Sequence, residues 1–322
     1  MTKIAVTEKE YSKAEPVFRN AEECECLSAP DGEKALAAFN SKHQAGHVII
    51  GVEKYTGLLY SELPRGGVIA RFGVGHDGVD KKLATENGLF CTNTPGALDD
   101  SVAECAVGLM LSTARHITDC AAENRNGNWR PRVGQELSGK TAAVIGCGNI
   151  GRRTAKILRH GFGMKVVGCD NTMPPDTDAF DRITCEFSEA VQEADFVTLH
   201  IPDLPQTRNF INAERLALLR PHTVLINTAR GGVLDENALY DALRAGKIAA
   251  AALDVFKKEP YEPQSPDRDL RKLDNVIMTA HIGSSTREAC ERMARAAIQN
   301  IRDVVKNGKP EKKVWLNPFT QR

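Results

Sequence analysis

KTAAVIGCGNIGRRTAKILRHGFGMKVVGCD, residues 140–170, carries the strongest local pattern in the chain. A short apolar run ending at Ile145 leads into Gly146-Cys147-Gly148-Asn149-Ile150-Gly151. A helical pattern follows, with Ile150, Ala155, Ile157 and Leu158 as apolar positions. A second apolar run, Val166-Val167-Gly168-Cys169, ends on Asp170. Strand, glycine turn, helix, strand and acid form the βαβ layout that binds a dinucleotide. Gly146 permits the tight turn, Gly148 lets a pyrophosphate approach the backbone, and Gly151 lets helix and strand pack closely. The phosphates then face the unpaired N–H groups and positive end of the helix. Asp170 lies 19 residues past Gly151, where a carboxylate can accept both ribose hydroxyls. It would also repel a 2′-phosphate, and Asn171-Thr172 bring no cation in exchange, so NAD is favoured over NADP. Arg152 and Arg153, on the first turn of the helix, read as solvated surface.

Outward from this unit, 322 residues leave room for two domains, each with its own core. An apolar content of 42% and a charged content of 26% are those of an ordinary globular chain. Lys+Arg and Asp+Glu both number 42, so no net charge points to nucleic acid or a membrane surface. No apolar run approaches the roughly 18 residues of a membrane span, and the start, MTKIAVTEKEYSK, has no signal-peptide core. The nine cysteines include no CxxC pair. A metal site is therefore not expected, and reduced thiols in a cytoplasmic protein are.

Upstream, short apolar runs at 4–6, 24–27, 48–50, 68–72 and 89–91 alternate with helical patterns at 31–40, capped by Asp31, and at 81–87. Alternation of this kind predicts a parallel sheet covered on both faces. Gly73-Val74-Gly75 after a strand reads equally as a ligand loop or a plain turn. Asp99-Asp100-Ser101 caps a long apolar helix, 102 to about 124, expected to be buried on more than one side and to bridge the domains. Downstream, 171–182 is a loop. Strands are expected at 195–200, 223–227, 249–255 and 276–279. Helices are expected at 187–194, 212–219, 236–245 with Asp235 as cap, and 286–307, before a polar tail to 322.

Arg230, Glu259 and His281 stand just past three successive predicted strands, at the edge where open α/β sheets bind ligands. Hydride transfer from an alcohol needs a proton acceptor, a cation for a bound carboxylate and a group that tunes the base. One His, one Arg and one Glu supply that minimum set. Singly, each reads as a loop or surface residue.

At this point the chain resembles the D-isomer-specific 2-hydroxyacid dehydrogenases, which include phosphoglycerate dehydrogenase and hydroxypyruvate reductase. The matching pieces are RFGVGHDGVD (71–80), NTPGALDDSVAE (93–104), GCGNIG (146–151), LHIPDLPQT (199–207), NTARGGVLDE (227–236), ALDVFKKEP (252–260) and TAHIGSST (279–286). They run through nearly the whole chain in the family's order. Ala280 replaces a usual Pro and Gly78 a usual Asn, and neither change removes a reacting group.

The resemblance implies two doubly wound parallel-sheet domains, with a Rossmann NAD-binding domain, 103–284, inserted in a smaller flavodoxin-like catalytic domain, 1–102 and 285–322. His281 would be the acid/base, and Glu259 would hydrogen-bond it and keep it protonated for carbonyl reduction. Arg230 would grip the substrate carboxylate and polarise the C2 oxygen. N–H groups of Val74 and Gly75 would hold the carboxylate's other end. Val102, Asn149, Ile150, Pro202, Thr207, Thr228, Ala229, Asp254 and Gly283 match cofactor-contacting positions, with Asp254 on the carboxamide. Arg230 and His281 would also border the cofactor. The expected protein is a homodimeric, NAD-dependent enzyme acting on a small 2-hydroxy or 2-keto acid. The family also contains NAD(H)-sensing corepressors, so a binding protein of the same fold is the alternative. Lys54 could reach a substrate phosphate but reads better as a surface lysine.

Overall fold

The computed structural model describes residues 1–174 and 176–318. Pro175, in the loop expected over 171–182, and residues 319–322 of the expected tail lie outside the described residues. The chain forms two compact units, Met1–Leu98 with Ser284–Arg322, and Asp99–Gly283. The second is an insertion in the first.

In the smaller unit, β1 (Thr2–Thr7), β2 (Cys24–Ala29), β3 (His47–Ile50), β4 (Val68–Arg71) and β5 (Phe90–Thr92) lie in the order β2-β1-β3-β4-β5. Every neighbouring pair is parallel. Val48-Ile49-Ile50 and Val68-Ile69-Ala70 are fully buried, as strands covered on both faces require. Leu36, Tyr60, Ile69 and Leu89 pack in one core beside this sheet. The helix Arg287–Asn307 is started by the Thr286 side chain, which accepts the Ala289 N–H, and stopped by Gly308 in the left-handed conformation.

In the larger unit, β6 (Thr141–Ile145), β7 (Lys165–Cys169), β8 (Arg182–Thr184), β9 (Phe196–Leu199), β10 (Val224–Asn227), β11 (Ala250–Leu253) and β12 (Val276–Met278) follow in sequence. Their order in space is β12-β11-β10-β9-β6-β7-β8, again all parallel. Strand order reverses around β6, so the crevice at the carboxyl ends of β6 and β9 is the place for a ligand. Two cores cover the faces of this sheet, one around Val197, Leu225 and Leu239, the other around Met110, Val144 and Phe196. Each fully buried Val, Leu or Ile here contributes about 1.5–3 kcal/mol. Asp235 caps the helix Glu236–Arg244 as expected, accepting the N–H groups of Asn237 and Ala238.

Several expectations are corrected. The long helix is two, Asp99–Arg115 and Ile117–Arg125, broken at His116 in a left-handed conformation (φ 53°). The first buries Val102, Ala106, Leu109 and Met110, whereas the second, ITDCAAENR, buries nothing because its sequence has no apolar face. Asp99 and Asp100 belong to the helix's first turn and do not precede it. The helix after the glycine turn is regular only over Asn149–Lys156 and widens into a π turn at Ile157–Gly161. Asp31 does not cap the helix Glu33–His43, which starts after Gly32; its carboxylate accepts the Lys9 N–H instead. Helices Glu8–Lys13, Glu15–Arg19 and Leu58–Glu62 and strand β8 go unread in the sequence because, at three to six residues, they are too short to show a period.

Candidate active site

β10 ends on Asn227, which is completely buried. Its Oδ1 accepts the Ala229 N–H at 3.0 Å and its Nδ2 donates to the Arg230 carbonyl at 3.0 Å. These two bonds shape the turn that presents Arg230 at the carboxyl end of the strand. Arg230 Nη1 donates to the Ala229 carbonyl at 2.6 Å. A Cβ on Gly231 would collide with the Phe256–Lys257 backbone. The lack of one lets the chain beyond Arg230 lie directly against the segment that leads from β11 to Glu259.

Glu259 accepts the Phe256 N–H on Oε1 at 2.9 Å and meets His281 Nδ1 with Oε2 at 2.7 Å. The two side chains are 32% and 28% exposed, so solvent reaches the pair without flooding it. Burial pushes the Glu259 carboxyl up. The His281 hydrogen bond and charge, the Phe256 N–H and the Arg230 guanidinium outweigh that and hold it below its ordinary value. Arg230, Glu259 and His281 are thus electrostatically joined in one unit.

Asp254, at the end of β11 and 1% exposed, organises the His281 turn. Its Oδ1 accepts the Thr279 hydroxyl at 2.5 Å and the Ile282 N–H at 2.8 Å. Its Oδ2 accepts the Gly283 N–H at 2.8 Å, and its carbonyl accepts the His281 N–H at 2.9 Å. These bonds hold His281 at φ 53°, a left-handed conformation uncommon for a residue with a side chain. Val102 lies beside the same turn, its methyl carbons 3.6 and 3.8 Å from the position of a Cβ on Gly283. Asn227 and Thr279 were not singled out from the sequence. The available signal was an Asn and a Thr at strand ends, where such side chains bond to nearby turns.

The glycine turn has the form a dinucleotide needs. A Cβ on Gly151 would collide with the Gly146 carbonyl, while one on Gly148 would meet nothing within 4 Å. Asn149 and Ile150 open the helix, and the Asn149 Oδ1 accepts Arg152 Nη2 at 2.9 Å. Arg153 pairs with Asp100 at 2.9 Å, both well exposed. Asp170 Oδ2 accepts the Cys147 N–H at 2.7 Å and Oδ1 the Thr172 N–H at 3.1 Å. The Thr207 hydroxyl donates to the Pro202 carbonyl at 2.5 Å and accepts the Leu204 N–H at 2.8 Å. The Thr228 hydroxyl, beside Arg230, is buried with no hydrogen-bond partner among the described residues. The open backbone at Gly148 and this orphaned hydroxyl, on one carboxyl edge, fit a bound nicotinamide dinucleotide.

Two other features are set apart. His200 also follows a strand, but it is partly buried with its Nε2 3.0 Å from the Thr198 hydroxyl, and desolvation pushes its ring down to about 3, so it is no proton donor at neutral pH. A cavity of about 770 Å³ lined by Asp119, Arg132, Arg244 and Lys272 opens at the amino ends of β10–β12, away from the carboxyl edge. In the smaller unit, Val74 and Gly75 follow β4, on a loop pinned by Asn93 Nδ2 to the Val74 carbonyl at 2.9 Å and by the Gly73 N–H to Thr94 Oγ1 at 3.0 Å.

Residues 107–283, more than half of the chain, match the family model described as "D-isomer specific 2-hydroxyacid dehydrogenase, NAD binding domain". The chain belongs to the D-isomer-specific 2-hydroxyacid dehydrogenases. It is 38% identical over 310 residues to a D-3-phosphoglycerate dehydrogenase of Methanocaldococcus jannaschii, covering 95% of this chain and 58% of that one. This chain therefore spans little more than half the length of that relative. It is 42% identical over 236 residues to a hydroxypyruvate reductase of Thermotoga maritima, covering 73% and 76% of the two chains. A solved NADPH-dependent glyoxylate/hydroxypyruvate reductase of Sinorhizobium meliloti, bound to citrate, superposes with a TM-score of 0.83 at 27% identity over 99% and 98% of the chains. This family member is an oxidoreductase with a nicotinamide-binding domain, and its reaction class is the interconversion of hydroxy and keto acids. These relatives are dehydrogenases and reductases, and the corepressor-like alternative is not favoured.

Proposed function

We propose that this chain is an NAD-dependent oxidoreductase that interconverts a small D-2-hydroxy acid and its 2-keto acid. The carrying observation is the 2.7 Å contact between His281 Nδ1 and Glu259 Oε2, with Arg230 within the same electrostatic field. When bound, the nicotinamide supplies or receives the hydride. In reduction, His281 gives its ring proton to the C2 oxygen as that oxygen gains the electron pair of the carbonyl π bond. Glu259 keeps the ring oriented through Nδ1, and Arg230 binds the substrate carboxylate and the developing negative oxygen. In oxidation the same ring takes the proton back.

Residues 99–283 serve as the dinucleotide domain, with Gly146, Gly148, Asn149, Ile150 and Gly151 cradling the pyrophosphate and Asp170 taking the ribose. Pro202, Thr207, Thr228, Ala229, Asp254, Gly283 and Val102 border the nicotinamide half. In the smaller unit, the N–H groups of Val74 and Gly75 are assigned to the substrate carboxylate. Asp170 supports NAD over NADP, because a 2′-phosphate would meet its carboxylate and Asn171, Thr172 and Met173 offer no cation.

The protein is further assigned as a homodimer, since Trp129 and Val133 are 84% and 97% exposed on one short polar segment and large apolar side chains of that kind mark contact surfaces. All nine cysteines are unbridged, which supports the cytoplasmic assignment. Among the described residues no helix is long and apolar enough to cross a membrane.

The test follows NADH and NADPH oxidation side by side with glyoxylate, hydroxypyruvate, pyruvate and phosphohydroxypyruvate. Turnover with NADH and its loss in His281→Ala, with cofactor binding kept, is the expected result. Silence across the panel, or an active His281→Ala, refutes the assignment.

A further inference from the structure

Glu259 sits on a stretch without regular structure. Between Leu253, the end of β11, and Leu270 the chain runs as irregular backbone. No sheet ladder or helix fixes its place there, so side-chain bonds to the main chain must do so. Glu236 supplies one. It is the first residue of the helix Glu236–Arg244, which follows the Arg230 turn. An acid at that position ordinarily stays in solvent and gains a little from the helix dipole. Glu236 is instead only 4% exposed, and acidic side chains are rarely this buried without a partner. Its Oε1 accepts the Lys257 N–H at 2.8 Å, and the Gln264 amide reaches Oε2 at 3.4 Å. Burial pushes its carboxyl up, while the Lys257 N–H, the Lys257 charge and the Gln264 amide oppose that rise.

The bond falls where it bears on the acid/base pair. The Phe256–Lys257 peptide lies directly against Gly231, where a Cβ would overlap both the Phe256 carbonyl carbon and the Lys257 nitrogen. Phe256 gives its own N–H to Glu259 Oε1 at 2.9 Å, and Glu259 Oε2 meets His281 Nδ1 at 2.7 Å. Glu236, the main chain at 256–257, Glu259 and His281 therefore form one connected series, all of it inside the inserted unit. The Phe256 and Tyr261 rings, with centroids 4.9 Å apart, and the Tyr261 hydroxyl, which accepts the Leu270 N–H at 3.1 Å, hold the far side of the segment. Neither supplies an acceptor to the Lys257 N–H.

We propose that Glu236 is a positioning residue: by accepting the Lys257 N–H it fixes the stretch of main chain that aims Glu259 at His281. This deepens the proposed function and rests on it. The part played by Glu236 is orientation alone, and proton transfer stays with His281. Without the Glu236 carboxylate the 256–257 peptide turns to find another acceptor, because an N–H left unpaired inside the protein is costly. The Glu259 carboxylate, bonded to the Phe256 N–H, turns with it. The His281 ring then lacks its orienting partner for part of the time, and a small misplacement of a reacting group is enough to slow the chemical step. The glycine turn and the Asp254 bonds belong to other segments and are left as they were.

The experiment uses the full chain and measures kcat and KM for glyoxylate and hydroxypyruvate with NADH, NADH affinity by fluorescence titration, and Tm. The variants are Glu236→Leu, which keeps the volume and removes the acceptor, Glu236→Gln, which keeps an acceptor oxygen, Glu259→Ala, and Glu236→Leu combined with Glu259→Ala. Glu236→Ala serves beside Glu236→Leu as a second variant without an acceptor, should the leucine not fold. Glu236→Leu should lower kcat about tenfold, the factor that one hydrogen bond carries, with KM and NADH affinity within about twofold of the parent. Glu236→Gln should recover most of that loss, to within about threefold of the parent. With Glu259 already gone there is nothing left to aim, so the double variant should match Glu259→Ala within about twofold. A folded Glu236→Leu with the parent's kcat overturns the inference. So does a loss repeated in full on the Glu259→Ala background, which is the mark of a general structural role. No turnover by the parent with any acid, or a Glu259→Ala as fast as the parent, removes the proposed function on which this one rests. An impaired Glu259→Ala beside an unimpaired Glu236→Leu removes this inference alone.

Discussion

Replacing Asp254 by Asn separates a side chain that builds the His281 turn from one that mainly touches the cofactor. In the native turn one carboxylate accepts three hydrogen bonds, from the Thr279 hydroxyl and the Ile282 and Gly283 N–H groups, in a site 1% exposed. An amide offers one oxygen and one NH₂. If the oxygen keeps Thr279 and Ile282, the NH₂ faces the Gly283 N–H, donor against donor. Loss of charge assistance and one orphaned buried donor together cost about 3 kcal/mol. For a unit of this size about 3 kcal/mol lowers Tm by about 6–12 °C. His281 is tied to the same residue through its own N–H, so its ring should leave Glu259 part of the time and kcat should fall at least about tenfold, one hydrogen bond's worth. Scanning calorimetry, NADH titration by fluorescence and steady-state kinetics read the three quantities. A variant with unchanged Tm and kcat but weakened NADH binding would refute the reasoning and return Asp254 to a cofactor contact alone.

Gly151→Ala should place a methyl group against the Gly146 carbonyl and force the helix off the strand; overpacking costs about 1–3 kcal/mol, and NADH affinity measured by fluorescence should fall at least tenfold. The Glu259 carboxyl is held below its ordinary value in the folded state. The sign follows from linkage: its stabilisation is complete above the ordinary carboxylate range and is lost as pH falls through the lowered folded-state value. Denaturation midpoints of parent and Glu259→Gln should therefore differ at neutral pH and converge in acid; a constant difference down to pH 3 would contradict the assignment.

The parts of the molecule legible in the sequence are those with strong local patterns. The glycine turn from Gly146 to Gly151 announces itself because strand, glycines, helix and acid follow at fixed spacing. Arg230, Glu259 and His281 are legible because each follows an apolar run, and the parallel sheet carries all such ends to one edge. What escaped depends on partners distant along the chain. Asp254 bonds to groups 25 to 29 residues away, and nothing around ALDVF shows that its acid will serve a turn. Glu10 reads as a surface charge in a polar stretch, and only Gly51, 41 positions later, lets it turn inward. The break at His116 was hidden because a left-handed residue other than glycine leaves no mark in the sequence.

Guanidinium, carboxylate and imidazole all come from Asp99–Gly283, the inserted unit. The 2.7 Å contact between His281 and Glu259 is closed among that unit's own residues. On the proposed function, the groups assigned to the proton relay and the Val74 and Gly75 N–H groups assigned to the substrate carboxylate come from different lengths of chain. A chimera that grafts residues 1–98 and 284–318 from a relative with another diet would change what is consumed while leaving the relay as it was.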